Sequence, residues 1–578
     1  LIRLEKMPIK VTGKIDHQAL PRPEDPAGRA TAESGDEPRD ERERCLARIW
    51  GEVLGRRQIG IHDNYFHLGG DSIKAIQVSS RLKQAGWRMG VRDLFLHPTV
   101  AQLAPRLGRT GNTAGPQPIA GEAVTGPIPL TPIQHWFLRE HRGDLNHFNQ
   151  AVCLRAAERL DEAAVRAALQ SIWERHDALR IVFRHPEDPE RAEQINQPVL
   201  SEVSLETLDW REEAEPEPRL EAYADRLHAG LDLERGPLMK AALCRLRDGD
   251  RLLIVIHHLV VDGVSWRILL EDLERGYRRL TPDPKTDSFL KWSEHLSRFA
   301  RSEACRTEAR YWAAVLAATA ADLPPEHEGG ENRYGLCRSA RVDLSEEETR
   351  ALLTGVHQRY QTEINDLLLT ALGRALKRRH GSDATWIWLE GHGREPLEEN
   401  LDITRTVGWF TTMFPFRIEV RGDQFGAQIR QVKDDLRRLP RKGIGYGILK
   451  YLAPGEAIDL RRSPRIGFNY LGEFSGGNSE NIFTLMEDVP GRAISPALSR
   501  RNHLDLVGVV LGKRLLLSAV YSPRQYEPAT VENLLADFKA ELLSIVEHCR
   551  QQEESPREAG GFGISTEDYQ AILKQISG

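Results

Sequence analysis

Apolar and polar positions follow two different rhythms along this chain. In the segment 39–107, ERERCLARIWGEVLG places Leu46, Ile49, Trp50, Val53 and Leu54 three and four residues apart, and SIKAIQVSSRLKQAG does the same with Ile73, Ile76 and Leu82. That spacing gathers the apolar side chains on one helical face. With no clear strand signal there, the pattern predicts a small all-α bundle. From residue 127 to 549 the rhythm alternates. AVCLRA, LRIVFR, MKAALCRL, RLLIVIHHLV, ATWIWLEG, RIGFNYLG and RLLLSAVY read as strands, whereas DEAAVRAALQSIWERH and INDLLLTALGRALKRR read as helices. Such alternation predicts an α/β domain. It is long for one core, so two subdomains, about 127–315 and 316–549, are expected to meet at a cleft that holds the site.

The remaining segments lack these rhythms. Residues 24–38 and 108–126 are polar and rich in Pro and Gly, as linkers are. The tail 550–578 has a linker followed by an amphipathic stretch, begun by Ser565 or Thr566, with Tyr569, Ile572, Leu573 and Ile576 on one face. A docking element for a downstream subunit and a trimmed linker fit that tail about equally. The chain opens at LIRLEKMP without an initiator Met, which reads as a fragment of a longer protein.

Composition narrows the function class. The 578 residues are 40% hydrophobic and 28% charged with a net charge of −6, and the two signs are interspersed. Neither nucleic acid nor a membrane is indicated as partner. Six cysteines (Cys45, Cys153, Cys244, Cys305, Cys337, Cys549) lie far apart with no C-x-x-C pair, so neither a disulfide framework nor a zinc site is indicated and a reducing cytoplasm is expected. No apolar run is long enough to span a bilayer, and no signal-peptide pattern opens the chain.

Chemistry enters at DNYFHLGGDSIKAI, where Gly69, Gly70 and Asp71 precede Ser72 and an apolar helix. In isolation this is a capped helix start. Over 39–107, however, including FLHPTVAQLA, the segment resembles the peptidyl carrier proteins of nonribosomal peptide synthetases. The resemblance implies that Ser72 bears covalent 4′-phosphopantetheine, supplied by a phosphopantetheinyl transferase. A phosphodiester at a helix N-terminus suits the free N–H groups and the helix dipole. Asp71 stands where His is commoner, a variant that resembles carriers feeding epimerization domains. TGKID in residues 1–23 resembles the last motif of adenylation domains, with Lys14 as its lysine, and marks a remnant of an upstream adenylation domain.

RLLIVIHHLVVDGVSWRILLEDL runs from an apolar strand through His257, His258, Asp262 and Gly263 into a helix. Adjacent strand residues point to opposite faces, so one histidine of the pair is expected in the cleft and a shared metal ion is disfavoured. The string resembles the H-H-x3-D-G signature of condensation and epimerization domains, relatives of chloramphenicol acetyltransferase. The implied fold is the four-helix carrier followed by two such subdomains meeting at a cleft. The resemblance makes His258 the acid–base residue and Asp262 a structural residue paired with an Arg, for which Arg180 is the candidate.

PIPLTPIQHWF, EGHGRE, TRTVGWFTTMFP, GIGYGILKYL and FNYLGEF follow in the family order. EGHGRE resembles the motif specific to epimerization domains, with Glu390 leading it. Inverting an α-carbon requires a proton taken from one face and another delivered to the opposite face, so two acid–base groups must flank it. His258 and Glu390 form such a pair, and an apolar tunnel would raise the Glu pKa toward that of His. Asn469 and Tyr470 are candidate donors to the enolate-like oxygen, or equally a packed strand end. His392 and Arg394 lie beside Glu390 and are expected to hold or tune it; Trp409 reads as tunnel wall.

The expected activity is epimerization of an aminoacyl or peptidyl thioester on its own carrier, supplying a downstream condensation domain. A condensation domain joining two carriers, and a catalytically silent docking module, are the alternatives.

Overall fold

The computed structural model describes residues 37–109, 124–199, 202–283, 285–395, 397, 401–453, 464–474 and 482–554. The segment 1–23 with Lys14, expected to be an adenylation remnant, nearly all of the first linker, most of the second and the amphipathic tail lie outside these residues.

The N-terminal domain has the expected four helices, Glu41–Leu54, Ser72–Gln84, Val91–Leu96 and Val100–Leu103. Asp40 caps the first by accepting from the Glu43 N–H, and Gly55 ends it in the left-handed conformation, φ 66°. Leu46, Ile49, Trp50, Tyr65, Val78, Leu82, Leu94, Val100 and Leu103 fill one core. One detail departs from the sequence reading. Trp87–Arg88 pairs with Gly108–Arg109, so the second linker begins as the last rung of this domain.

Among the described residues the large domain has two large mixed sheets and a small antiparallel one, Gly126–Ile128, Glu193–Asn196, Ile181–Arg184. The first runs, in spatial order, Thr484–Leu485, Asn149–Ala156, Gly249–His257, Met239–Leu246, Leu205–Asp209. The second runs Arg338–Asp343, Arg514–Tyr521, Leu504–Leu511, Ile466–Phe474, Ala384–Gly391, Thr412–Glu419. Helix Gly263–Tyr277 packs with Glu162–Arg175 over the first, and Ile364–His380 packs with Pro528–Glu554 over the second. One apolar core continues through both halves.

The division at residue 316 is therefore too simple. A segment of the second half crosses back and extends the first sheet: Thr484 pairs with Arg155, Phe148 bridges to Ile494, and the Asn149 N–H donates to the Ala493 carbonyl at 2.8 Å. The crossing segment closes one side of the cleft and ties the halves together. The final helix also runs past 549, to Glu554.

Candidate active site

The two histidines part company as strand alternation demands. His257 ends the buried strand Gly249–His257; its Nε2 lies 2.9 Å from the Leu145 carbonyl and its Nδ1 accepts from the Leu259 N–H at 3.2 Å. Burial pushes its pKa down to about 3, so it is a neutral structural group. The chain then tightens into a 3₁₀ turn, His258–Val260, whose Leu259 carbonyl accepts from Gln134 of the PIQHWF motif. This turn faces His258 into the cleft. Phe148 stacks on its ring at 5.4 Å and Trp409 lies against it at 4.4 Å. Burial lowers the His258 pKa, partly countered by the Val261 carbonyl 2.8 Å from Nδ1.

Asp262 is structural, but its partner is not Arg180. Asp262 caps helix Gly263–Tyr277 through the Ser265 N–H at 2.7 Å, accepts from the Phe410 N–H at 3.0 Å and pairs with Arg394 at 3.2 Å. Arg394, with its side chain 1% exposed, also donates to Ser265 and to the carbonyls of Ile403 and Thr406 and lies over the Phe410 ring. Arg180 is held by Asp177 and by the carbonyls of Trp173, Glu174 and Gln197, at the far end of the preceding helix. The latch thus comes from EGHGRE itself and joins the two halves. His392 does not hold Glu390 either: its Nδ1 accepts from the Arg394 N–H and its Nε2 lies 3.2 Å from Glu395.

Glu390 and Gly391 end strand Ala384–Gly391, opposite Met413 and Thr412. Past them Gly393, at φ +67°, runs so close to the neighbouring loop that a Cβ would lie 1.6 Å from the Phe410 carbonyl oxygen. Only glycine fits there, which explains the motif spacing. The Glu390 carboxylate opens onto the cleft while protein encloses that cleft. This enclosure, with Asp505 adding to it, raises its pKa to about 7. Asn469 donates to Glu390 Oε2 at 2.5 Å, which commits its amide to Glu390. Tyr470, next along the strand, lies nearer the N-terminal domain, with Asp71, Glu473 and Arg267 about its hydroxyl.

His258, Glu390, Asn469 and Tyr470 line one cavity of about 2550 Å³. At its mouth strand Ile466–Phe474 bulges between Tyr470 and Glu473, and helix Ser72–Gln84 meets the large domain near both of its ends. Lys74 pairs with Glu473 at 2.8 Å, Lys83 with Asp402, and Lys442 lies 4.1 Å from the Phe95 ring centre. A Cβ at Gly472 would lie 3.5 Å from Asp71 Oδ2 and 3.7 Å from Arg267 Nη2, so the helix start bearing Ser72 meets the cavity mouth. Among the described residues no group of three or more His, Cys, Asp or Glu side chains is arranged to hold a metal, and no helix is long and apolar enough to cross a membrane.

Residues 124–559 match the condensation domain family, and residues 45–107 match the phosphopantetheine attachment site family. The chain belongs to the condensation-domain family. Surfactin synthase subunit 1 of Bacillus subtilis (strain 168) is 41% identical over 99% of the chain, and tyrocidine synthase 2 of Brevibacillus parabrevis is 40% identical over all of it. The chain spans 16% of the length of each. The crystal structure of the epimerization domain from the third module of tyrocidine synthetase B matches with a TM-score of 0.71 and 39% identity, over 75% of this chain and 98% of that one. The two subdomains are the chloramphenicol-acetyltransferase-like architecture of this family, and the attachment domain brings a covalent 4′-phosphopantetheine on its serine.

The residues of this condensation-family chain suit that group. Ser72 opens a helix of 13 residues, with Asp71 as cap through the Lys74 N–H at 2.7 Å. Gly70 packs so tightly on Tyr65 that a Cβ would lie 2.3 Å from the ring. The free N–H groups of the helix start would favour a phosphodiester on Ser72, and Arg267 lies at the same mouth with the Asp71 and Glu473 carboxylates near it. Sequence reasoning missed three contributors. Gln150 reaches His258, Trp266 reaches Gln150, and Arg267 reaches the mouth. Trp266 and Arg267 stand three and four residues after Gly263 of the histidine motif, a visible signal, whereas Gln150 sits in a strand with nothing to mark it.

Proposed function

We propose that the large domain epimerizes the α-carbon of an aminoacyl or peptidyl thioester held on Ser72 of the attached carrier. The observation that carries this reading is one cavity lined by both His258 and Glu390, with the carrier helix docked at its mouth.

The prosthetic arm presents the acyl group as a thioester, which makes its α-hydrogen acidic enough to remove. The protein residues do the rest. His258 is neutral above its lowered pKa, and Glu390 is protonated below about 7. In that interval one group takes the α-proton as the other delivers a proton to the opposite face. The pair ends as imidazolium and carboxylate, the starting state for the reverse direction. Both directions therefore need one proton shared between the two groups, and equilibration to an L/D mixture follows. Asn469 orients Glu390, while burial keeps the Tyr470 hydroxyl protonated as a donor toward charge building on the acyl oxygen. Asp262 and Arg394 set the spacing of the two halves. The upstream adenylation domain loads the carrier, a phosphopantetheinyl transferase primes it, and a downstream condensation domain takes the D-residue.

The test is to load the holoprotein with an L-aminoacyl group in heavy water, release the acid and separate its isomers. The D-isomer with α-deuterium is expected. Release of L-isomer alone, without deuterium, would overturn the reading. If a second loaded carrier yields an amide instead, the domain condenses.

A further inference from the structure

The cleft histidine is wired on both nitrogens. Nδ1 lies 2.8 Å from the Val261 carbonyl, which can only accept, so Nδ1 carries a proton. Nε2 lies 2.9 Å from the amide nitrogen of Gln150, and the amide oxygen of Gln150 lies 2.9 Å from the indole nitrogen of Trp266. An indole N–H can only donate, so it fixes the Gln150 oxygen toward Trp266 and turns the NH₂ toward His258. Nε2 must then accept. The three side chains come from strand Asn149–Ala156, from the 3₁₀ turn and from helix Gly263–Tyr277, so register and helix cap hold the relay together.

We infer that Gln150, oriented by Trp266, is a positioning residue that holds His258 as the neutral Nδ1–H tautomer with its Nε2 lone pair aimed into the cavity. Its catalytic meaning rests on the acid–base role proposed for His258. An imidazolium would set its Nε2–H against the Gln150 NH₂, donor facing donor. Trp266 stops the amide from flipping to relieve that clash. The relay thus disfavours the protonated ring in the empty cavity, adding to the effect of burial. Other charges around the ring act differently. His257, adjacent in sequence, is neutral; Asp262 favours the imidazolium, although its oxygens are engaged by Ser265, Phe410 and Arg394; Glu390 shares the cavity. Phe148 and Trp409, lying against the ring, carry no titrating group. When an acyl group enters, Gln150 must yield Nε2 to the α-hydrogen, so the amide also serves as a reversible cover for the base.

The test reads the ring directly. Holoprotein without an acyl group is labelled with ¹⁵N-histidine, and the His258 signals are identified among the 19 histidines by their loss in His258→Ala. The wild type should show a protonated Nδ1 and an unprotonated Nε2. Gln150→Glu places an acceptor opposite Nε2 and should raise the titration midpoint on the order of one to three pH units. Gln150→Leu and Trp266→Phe should shift it upward by less and loosen the tautomer preference. Unchanged midpoints and tautomer in the Glu and Phe variants would overturn the inference. Shifted midpoints in a protein whose wild type exchanges no α-hydrogen would sink the epimerase reading while supporting the relay.

Discussion

Replacing Asp262 should unlatch the two halves before it alters any chemistry. Its carboxylate makes three contacts that no other side chain can supply together: the cap of helix Gly263–Tyr277, the Phe410 N–H and the Arg394 guanidinium. Losing the cap in Asp262→Ala costs about 1 kcal/mol. Leaving Arg394 buried without its anion costs about 3–5 kcal/mol more. The sum, on the order of 4–6 kcal/mol, rivals the whole stability of an ordinary domain, about 5–15 kcal/mol. Asn keeps one acceptor but turns a donor toward either Phe410 N–H or Arg394, so Asp262→Asn should recover only part of the loss. Urea unfolding followed by tryptophan fluorescence reads the large domain, because Trp266, Trp292, Trp312, Trp386, Trp388 and Trp409 all lie in its core. The soluble fraction of Asp262→Asn should also exchange α-hydrogen more slowly, since His258 and Glu390 sit on the two halves that the latch joins. An Ala variant unfolding within about 0.5 kcal/mol of wild type would refute the latch.

Other consequences follow from charge. The folded pKa of Glu390, raised to about 7 from 4.5, means the unfolded chain releases this proton first. Its stability contribution is therefore whole below pH 4.5 and is lost as pH rises through 7, so Glu390→Gln should melt above wild type at pH 8, with the gap closing toward pH 4.5. The rate of α-hydrogen exchange should be bell-shaped in pH, its upper limb near 7 and its lower limb below 6.5, identical from the L and D sides; a monotonic profile would contradict the shared proton. Reversing Lys74 to Glu should weaken carrier docking by up to about 1 kcal/mol, or several-fold, in a fluorescence distance assay, and adding Glu473→Lys should restore it.

Periodicity and motif spacing revealed the helical N-terminal domain, the main strands and the separate placements of His257 and His258, because local pattern and alternation decide those features. The Asp262 partner was not legible. Nothing in the sequence ranks Arg394, inside EGHGRE, above Arg180 as partner, and only the folded loop after Glu390, which must pass Gly393 against Phe410, brings Arg394 beneath the helix cap. The return of Thr484–Leu485 to the first sheet was equally hidden, since a two-residue strand has no period to detect. Gln150 matters only because Trp266 and His258 converge on it across three elements.

The most direct measurement compares wild type, His258→Ala and Glu390→Ala, each primed on Ser72, loaded with an L-aminoacyl group in heavy water and followed over single turnovers by chiral separation and mass. With two groups working on opposite faces, wild type yields D-isomer carrying one α-deuterium, and each variant loses D-isomer formation by on the order of 10²–10⁴-fold. Either variant converting L to D at the wild-type rate would contradict it.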